Sequence, residues 1–298
     1  MAGIYIHIPF CTSKCRYCDF TSYPGKIGFA DAYMACVYKE MKLRSTELKD
    51  KVFDTVYIGG GTPSVIDAKW IVGCMNQIRA CYTLAPDAEV TIEMNPGTVT
   101  EEKVRTYKRA GVNRFSIGLQ TAIDAQLEEL GRRHTAADFV EACRLLGDVN
   151  KSADIMIGLK GQTSGDIRKS IDLAAEQGVS HISMYALTPE DGTPIYTDYL
   201  NGELPDADEV AALYDSARAY LKQLGFERYE VSNFAKKGFE SRHNLNYWRR
   251  GEYIGFGVDA SSFMCNRRFT NTRDLDDYIK CILSDHYPVV SDEEITGE

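Results

Sequence analysis

The chain has 298 residues, 44% hydrophobic and 26% charged, values that exclude a disordered, collagenous or low-complexity protein. Its 34 basic residues against 43 acidic ones leave a net charge of −9, a poor match to the basic footprint of a nucleic-acid binder. No apolar run approaches the roughly 20 residues of a membrane span, and Met1 to Phe10 shows neither the basic start nor the small-residue cleavage site of a secretory leader, so a cytoplasmic protein is expected.

In chain order, Ile4 to Ile8 alternates and is β-branched, which predicts a strand ending at Pro9. Phe29, Tyr33, Val37 and Met41 recur every four residues and predict a helix over 29–48. A strand over 55–58 runs into Gly59-Gly60-Gly61-Thr62-Pro63, followed by a helix over 67–82. A strand over 89–93 ends in the turn Asn95-Pro96-Gly97, and a helix over 100–110 is stopped by Gly111. The strand over 113–117 precedes helices over 123–130 and 136–147. The strand over 153–157 precedes a helix over 164–177, and the strand over 181–185 precedes a helix over 207–224.

Six strand–helix units in succession imply parallel strands with crossover helices. Units of this size fit an open, incomplete β/α barrel of about six units; a doubly wound sheet would give much the same pattern. Past residue 230 aromatics and glycines become frequent, which predicts a barrel domain over 1–230 and an appended α+β region over 231–298. The polar end, Ser291 to Glu298, resembles the start of another helix.

Nine cysteines, an odd number, do not read as a disulfide framework. Cys11, Cys15 and Cys18 crowd into eight residues after the first strand, a spacing that suits three thiolates on one loop. Zinc normally takes four closing ligands, whereas three cysteines can hold three irons of a four-iron cluster and leave the fourth open. Chemistry in a β/α barrel belongs at the carboxyl ends of the strands. The cysteines, the glycine run, Glu93 and Gln120 all fall there.

Cys-x3-Cys-x2-Cys with Tyr17 before the last cysteine resembles the signature of radical S-adenosylmethionine (SAM) proteins. The resemblance implies a [4Fe-4S] cluster on Cys11, Cys15 and Cys18, with SAM on its open iron. Tyr17 would then lie against the SAM, and Gly60, Gly61 and Thr62 would lie near its amino group. Tyr5-Ile-His-Ile-Pro-Phe-Cys11, Glu93-x-Asn-Pro-Gly97, Gly118-Leu-Gln120, Gly131-Arg132 and Asp154-x3-Gly158-Leu together resemble the oxygen-independent coproporphyrinogen III oxidase family over essentially the whole chain. By that resemblance Tyr5 packs beside the cluster and Glu93, Gln120 and Asp154 hydrogen-bond SAM. Arg132 pairs with the SAM carboxylate, which its planar fork suits.

Three features resemble the family's haem chaperone (HemW) branch. Phe20 stands where the oxidase has a fourth cysteine, the first strand begins near residue 3 without a long extension ahead of it, and His243-Asn-Leu-Asn-Tyr-Trp248 matches HNxxYW. The resemblance implies haem binding, with His243 as a candidate axial ligand and Tyr247 and Trp248 as flat apolar surface, and delivery to haem-accepting proteins, membrane-associated ones among them. It implies a chaperone without the oxidase activity, so whether the chain is an enzyme stays open; a coproporphyrinogen III oxidase of porphyrin biosynthesis is the alternative. A radical enzyme on an unrelated substrate is a third reading. His7 is expected to orient the cluster loop or pack inside. Lys160 stands where the family has proline, which predicts a looser loop, and Asp259 replaces a small residue, which predicts repulsion of a propionate-bearing ligand. Relatives of this kind continue with a small helical domain, so the appended region is expected to be incomplete.

Overall fold

The computed structural model describes residues 1–296. Six parallel strands carry the expected order: β1 (Ala2–Ile8), β2 (Val52–Gly60), β3 (Thr83–Met94), β4 (Arg114–Gln120), β5 (Asn150–Ile157) and β6 (His181–Ala186). The intervening helices are α1 (Ala30–Arg44), α2 (Ala68–Cys81), α3 (Glu101–Ala110), α4 (Asp124–Glu129), α5 (Ala136–Leu146), α6 (Ser164–Glu176), α7 (Pro194–Leu200) and α8 (Ala207–Gln223). Their starts are chemically marked. Thr135 with Asp138, Thr163 with Asp166 and Asp206 with Glu209 form reciprocal capping boxes at α5, α6 and α8. Several strands outrun the expected ranges because the ladder carries on past the apolar stretch: Phe53 pairs with Leu84 ahead of the predicted starts of β2 and β3. Helix α7 was not anticipated from sequence.

From residue 227 on the chain adds strands β7 (Glu227–Arg228), β8 (Asn233–Ala235), β9 (Glu252–Phe256), β10 (Ser261–Met264), β11 (Arg267–Asn271) and β12 (Val289–Glu294), with helices α9 (Arg242–Trp248) and α10 (Leu275–Leu283). The sheet runs β12-β11-β10-β9-β1-β2-β3-β4-β5-β6-β8-β7. A linear order with two free edges makes this an open β/α barrel. Strand β9 pairs in parallel with β1, Ala2 opposite Glu252 through Ile6 opposite Phe256, so the late region extends the sheet at both sides of the six-strand unit. This seventh parallel strand escaped the sequence reading because short α9, rather than a long amphipathic crossover, leads into it.

The polar tail is a correction. Ser291 to Glu294 is not the start of a helix but the end of β12, antiparallel to β11. Its acidic side chains face a basic strand, with Arg267 2.9 Å from Asp292 and Arg268 3.6 Å from Glu293. Cross-strand pairing therefore outweighs the local helix signal. Gly297 and Glu298 lie outside the described residues.

Alternation sorts β1 between two sides. Ile4, Ile6 and Ile8 join the buried apolar cluster with Tyr33, Val37 and Met41 of α1, while Tyr5 and His7 face the barrel interior. Among the described residues no helix is long and apolar enough to cross a membrane.

Candidate functional site

The loop after β1 begins with a two-residue strand, Phe10–Cys11, that pairs in parallel with Tyr23–Pro24 and closes residues 12–22 into a compact turn. The turn is tied to three parts of the fold. Arg16 N donates to Leu130 O at 3.0 Å, and the Arg16 guanidinium pairs with Asp198 of α7 at 2.8 Å. His7, inside β1 rather than after it, is buried and donates from Nε2 to the carbonyl of Thr21 at 2.8 Å. A carbonyl can only accept, so Nδ1 is left to accept the Tyr5 hydroxyl at 3.0 Å. His7 thus packs inside and orients the cysteine loop at once.

Cys11, Cys15 and Cys18 line one cavity of about 490 Å³ at the carboxyl ends of the strands. Among the described residues no three His, Cys, Asp or Glu side chains converge to hold a single metal ion. Three thiols spread around one cavity match the corners of a multi-iron cluster better than one zinc ion. Burial raises the Cys11 and Cys18 thiols above the usual range, with the Thr62 hydroxyl 3.4 Å from Cys11 Sγ acting against it.

The glycine run wraps this loop. Gly60 has φ of 112°, open to glycine at little cost, and a Cβ there would come 2.7 Å from the His7 ring. A Cβ on Gly61 would sit 2.9 Å from Phe10 O and 3.0 Å from Cys11 Sγ. The amides of Gly61 and Thr62 donate to Ile8 O and Phe10 O, both at 2.8 Å. The glycines therefore let β2 close onto the cysteine loop.

Two carboxyls sit in the cavity wall. Tyr57 donates its hydroxyl to Glu93 Oε1 at 2.7 Å and Gly60 N donates to Oε2 at 3.2 Å, yet burial dominates and the nearby Asp154 charge adds to it, raising Glu93 to about 7. Burial raises Asp154 to about 6 against hydrogen bonds from Ser183 and Ser116. Gln120 ends β4 after a register shift, at a left-handed φ of 68°, which re-aims it into the cavity. Arg132 donates to Gly118 O at 2.8 Å and lies 3.7 Å from Cys15 Sγ, and its Nε is buried without a partner. That free donor beside the cysteines fits a ligand carboxylate. Arg133 lines the same cavity but is exposed. Tyr17 packs on the apolar cluster of Leu130, Met156, Leu159 and Ile195 beneath the mouth.

Of the sequence-predicted residues, Cys11, Cys15, Cys18, Tyr17, Gly60, Gly61, Thr62, Glu93, Gln120, Arg132 and Asp154 thus share one cavity. Tyr5 lines a neighbouring cavity, because alternation in β1 aims it at β9 and α9, with its ring 6.4 Å from that of Tyr57 in the wall of the first. His243 lines neither cavity. The residue is 1% exposed, and both ring nitrogens are engaged, Nδ1 with Thr55 Oγ1 at 2.7 Å and Nε2 with the Tyr247 hydroxyl at 2.8 Å. Burial pushes it down to about 3, so it is neutral, and no ring nitrogen remains for iron. The Lys160 loop, which lacks the family's proline, is held by side chains. Gln162 Oε1 accepts from Gly158 N at 2.9 Å and Leu159 N at 3.3 Å, and Lys160 pairs with Glu203.

Sequence reasoning missed Tyr57 and Arg114. Arg114 is 2% exposed and makes no ion pair within 4.0 Å among the described residues; its charge acts on Glu93, Asp154 and His243 from inside the barrel. Both occupy inward positions, Tyr57 two residues before Gly59 and Arg114 two before Ser116, so period-two alternation was the available signal.

The model of the Radical SAM superfamily matches residues 5–174. The heme chaperone HemW of Mycobacterium tuberculosis (strain H37Rv) is 35% identical, with 99% of this chain and 78% of that protein covered. The heme chaperone HemW of Escherichia coli (strain K12) is 38% identical over 87% of this chain and 69% of that protein. The solved structure of coproporphyrinogen III oxidase (HemN) from Escherichia coli superposes with a TM-score of 0.88, at 19% identity, over 99% of this chain and 72% of that one. That likeness is one of fold. With the family model over more than half of the chain and heme chaperones alike over nearly all of it, this chain belongs to the HemW family within the Radical SAM superfamily.

Proposed function

We propose that this protein is a haem chaperone that binds haem and passes it to haem-accepting proteins. The observation that carries the reading is the 35% identity to a heme chaperone over 99% of the chain. In this reading Cys11, Cys15 and Cys18 hold a [4Fe-4S] cluster. When bound, the reduced cluster supplies a single low-potential electron to SAM.

The chain's own residues would do the rest. Arg132, with its unpartnered Nε, would hold the SAM carboxylate. Glu93 and Asp154, once ionised, would face its cationic groups. Gln120 would add an amide at the strand end, and Tyr17 and Met156 would give the adenosine an apolar wall. The Thr62 hydroxyl, against Cys11 Sγ, would steady the ligand thiolate. The cytoplasm, a reducing compartment, suits nine free cysteines.

The test is anaerobic. Reconstituted protein receives SAM, a low-potential reductant and coproporphyrinogen III, and is separately titrated with haem and mixed with an apo-haemoprotein. Haem uptake and transfer without loss of propionate carboxyls is the expected result. Formation of protoporphyrinogen would make the protein an oxidase and overturn the chaperone reading.

A further inference from the structure

A second cavity, of about 450 Å³, adjoins the cluster cavity on the β1–β9 side, and Phe20, 70% exposed, lines both. We infer that this second cavity is the seat of the haem, with the macrocycle against Tyr5, Tyr247, Tyr253 and Phe263 and the two propionates on Arg250 and Arg268. The inference deepens the haem-chaperone reading and rests on it.

The lining is largely aromatic. Tyr247 and Tyr253 meet edge to face with centroids 4.5 Å apart, and the aromatic wall draws on β1, α9, β9 and β10. Its size lies within the range of pockets for small ligands, roughly 300–1,000 Å³. His243 stands one layer behind and acts through Tyr247, whose hydroxyl it holds.

The charge fits a dianion. Arg250 makes no ion pair within 4.0 Å among the described residues, although the chain as a whole is acidic. It sits at a left-handed φ of 54° for which a non-glycine residue is unsuited. That backbone is held by Gly251 N on Asn246 O at 2.8 Å and by Asn246 Nδ2 on Glu252 O at 2.9 Å. Among the described residues the ion-pair partner of Arg268 is the exposed Glu293 at 3.6 Å, a pairing that a propionate can displace at little cost. Among the described residues the one carboxylate of the lining, Asp259, accepts from Arg273 Nε at 2.9 Å and the Thr21 hydroxyl at 2.7 Å. Arg273 thus sets a counter-charge against the repulsion expected of Asp259 from sequence.

The test titrates the full chain with ferric haem and with haem dimethyl ester, whose propionates carry no charge, following the Soret band. Arg250→Ala and Arg268→Ala should each weaken haem binding about tenfold, the worth of one charge-assisted pair. The double variant should no longer prefer haem over its ester. Arg249→Ala, whose side chain does not line the cavity, should bind as the unaltered chain does, and matching iron loading and far-UV circular dichroism would show that all variants are folded. Haem binding by the unaltered chain together with equal binding by the double variant would overturn the seat and leave the chaperone reading standing. No haem binding by the unaltered chain would overturn both.

Discussion

The imidazole of His243 lies flat on the ring of Tyr57, with centroids 5.1 Å apart and planes 26° apart. The same Tyr57 donates its hydroxyl to Glu93, so one side chain of β2 touches the histidine of the late motif and a carboxyl of the cluster cavity. Tyr5 of the second cavity lies 6.4 Å from Tyr57 of the first, and Phe20 lines both, so inward positions of β1 and β2 bring the two cavities side by side.

Tyr57→Phe keeps the ring under His243 and removes only the hydroxyl. Glu93 then loses a hydrogen bond that favours its ionised form. SAM affinity should fall about tenfold, the usual worth of a hydrogen bond to a charged group, with fold stability nearly unchanged. Calorimetric titration with SAM checks this; unchanged affinity would remove Glu93 as a SAM partner.

SAM affinity should rise with pH between about 6 and 7. Glu93 and Asp154 are raised to about 7 and about 6, so they are protonated below that window and can face a cation only above it. The stability of the SAM-free protein should move the other way. A carboxyl whose folded value exceeds its unfolded one holds its proton longer in the folded state, so stability falls as pH climbs from the ordinary carboxyl range toward 7. Glu93→Gln should flatten both trends in calorimetry and denaturant melts. A SAM affinity independent of pH across the window would contradict the assignment.

His243→Ala should lower the unfolding free energy by about 2–4 kcal/mol, since it empties a packed site and strands the hydroxyls of Thr55 and Tyr247. The axial-ligand signature of the ferric haem complex should stay as it was. A changed low-temperature electron paramagnetic resonance spectrum at full folding would restore His243 as an iron ligand.

Cys15→Ala should abolish iron and sulfide loading on reconstitution. The remaining two thiols lack the third corner of the cluster. Chemical iron and sulfide analysis decides it, and full loading in this variant would refute the cluster ligand set.

The first cavity was largely legible in the chain because its residues end consecutive parallel strands. Once a β/α rhythm is recognised, that alone places Cys11, Gly60, Glu93 and Gln120 at one rim, whereas Asp154, inside β5, came only from the family resemblance. Gln120 carried a weaker signal: its left-handed backbone depends on the register shift against β5.

The sequence by itself determined the strand–helix order, the cysteine loop and the strand ends that hold the rim, because these follow from local periodicity and contiguous motifs. Tertiary structure alone decided where the late region goes. Pairing of β9 with β1 brings Tyr253 beside Tyr247, and β12 becomes a strand because its carboxylates meet the arginines of β11. It also decided what His243 does. Glu89 of β3 accepts the amides of Arg242 and His243, both at 3.1 Å, and anchors α9 with the imidazole facing inward onto Tyr57. Tyr247 alone among its partners is local; Thr55 and Glu89 come from strands more than 150 residues away in the chain, a placement that no local pattern encodes.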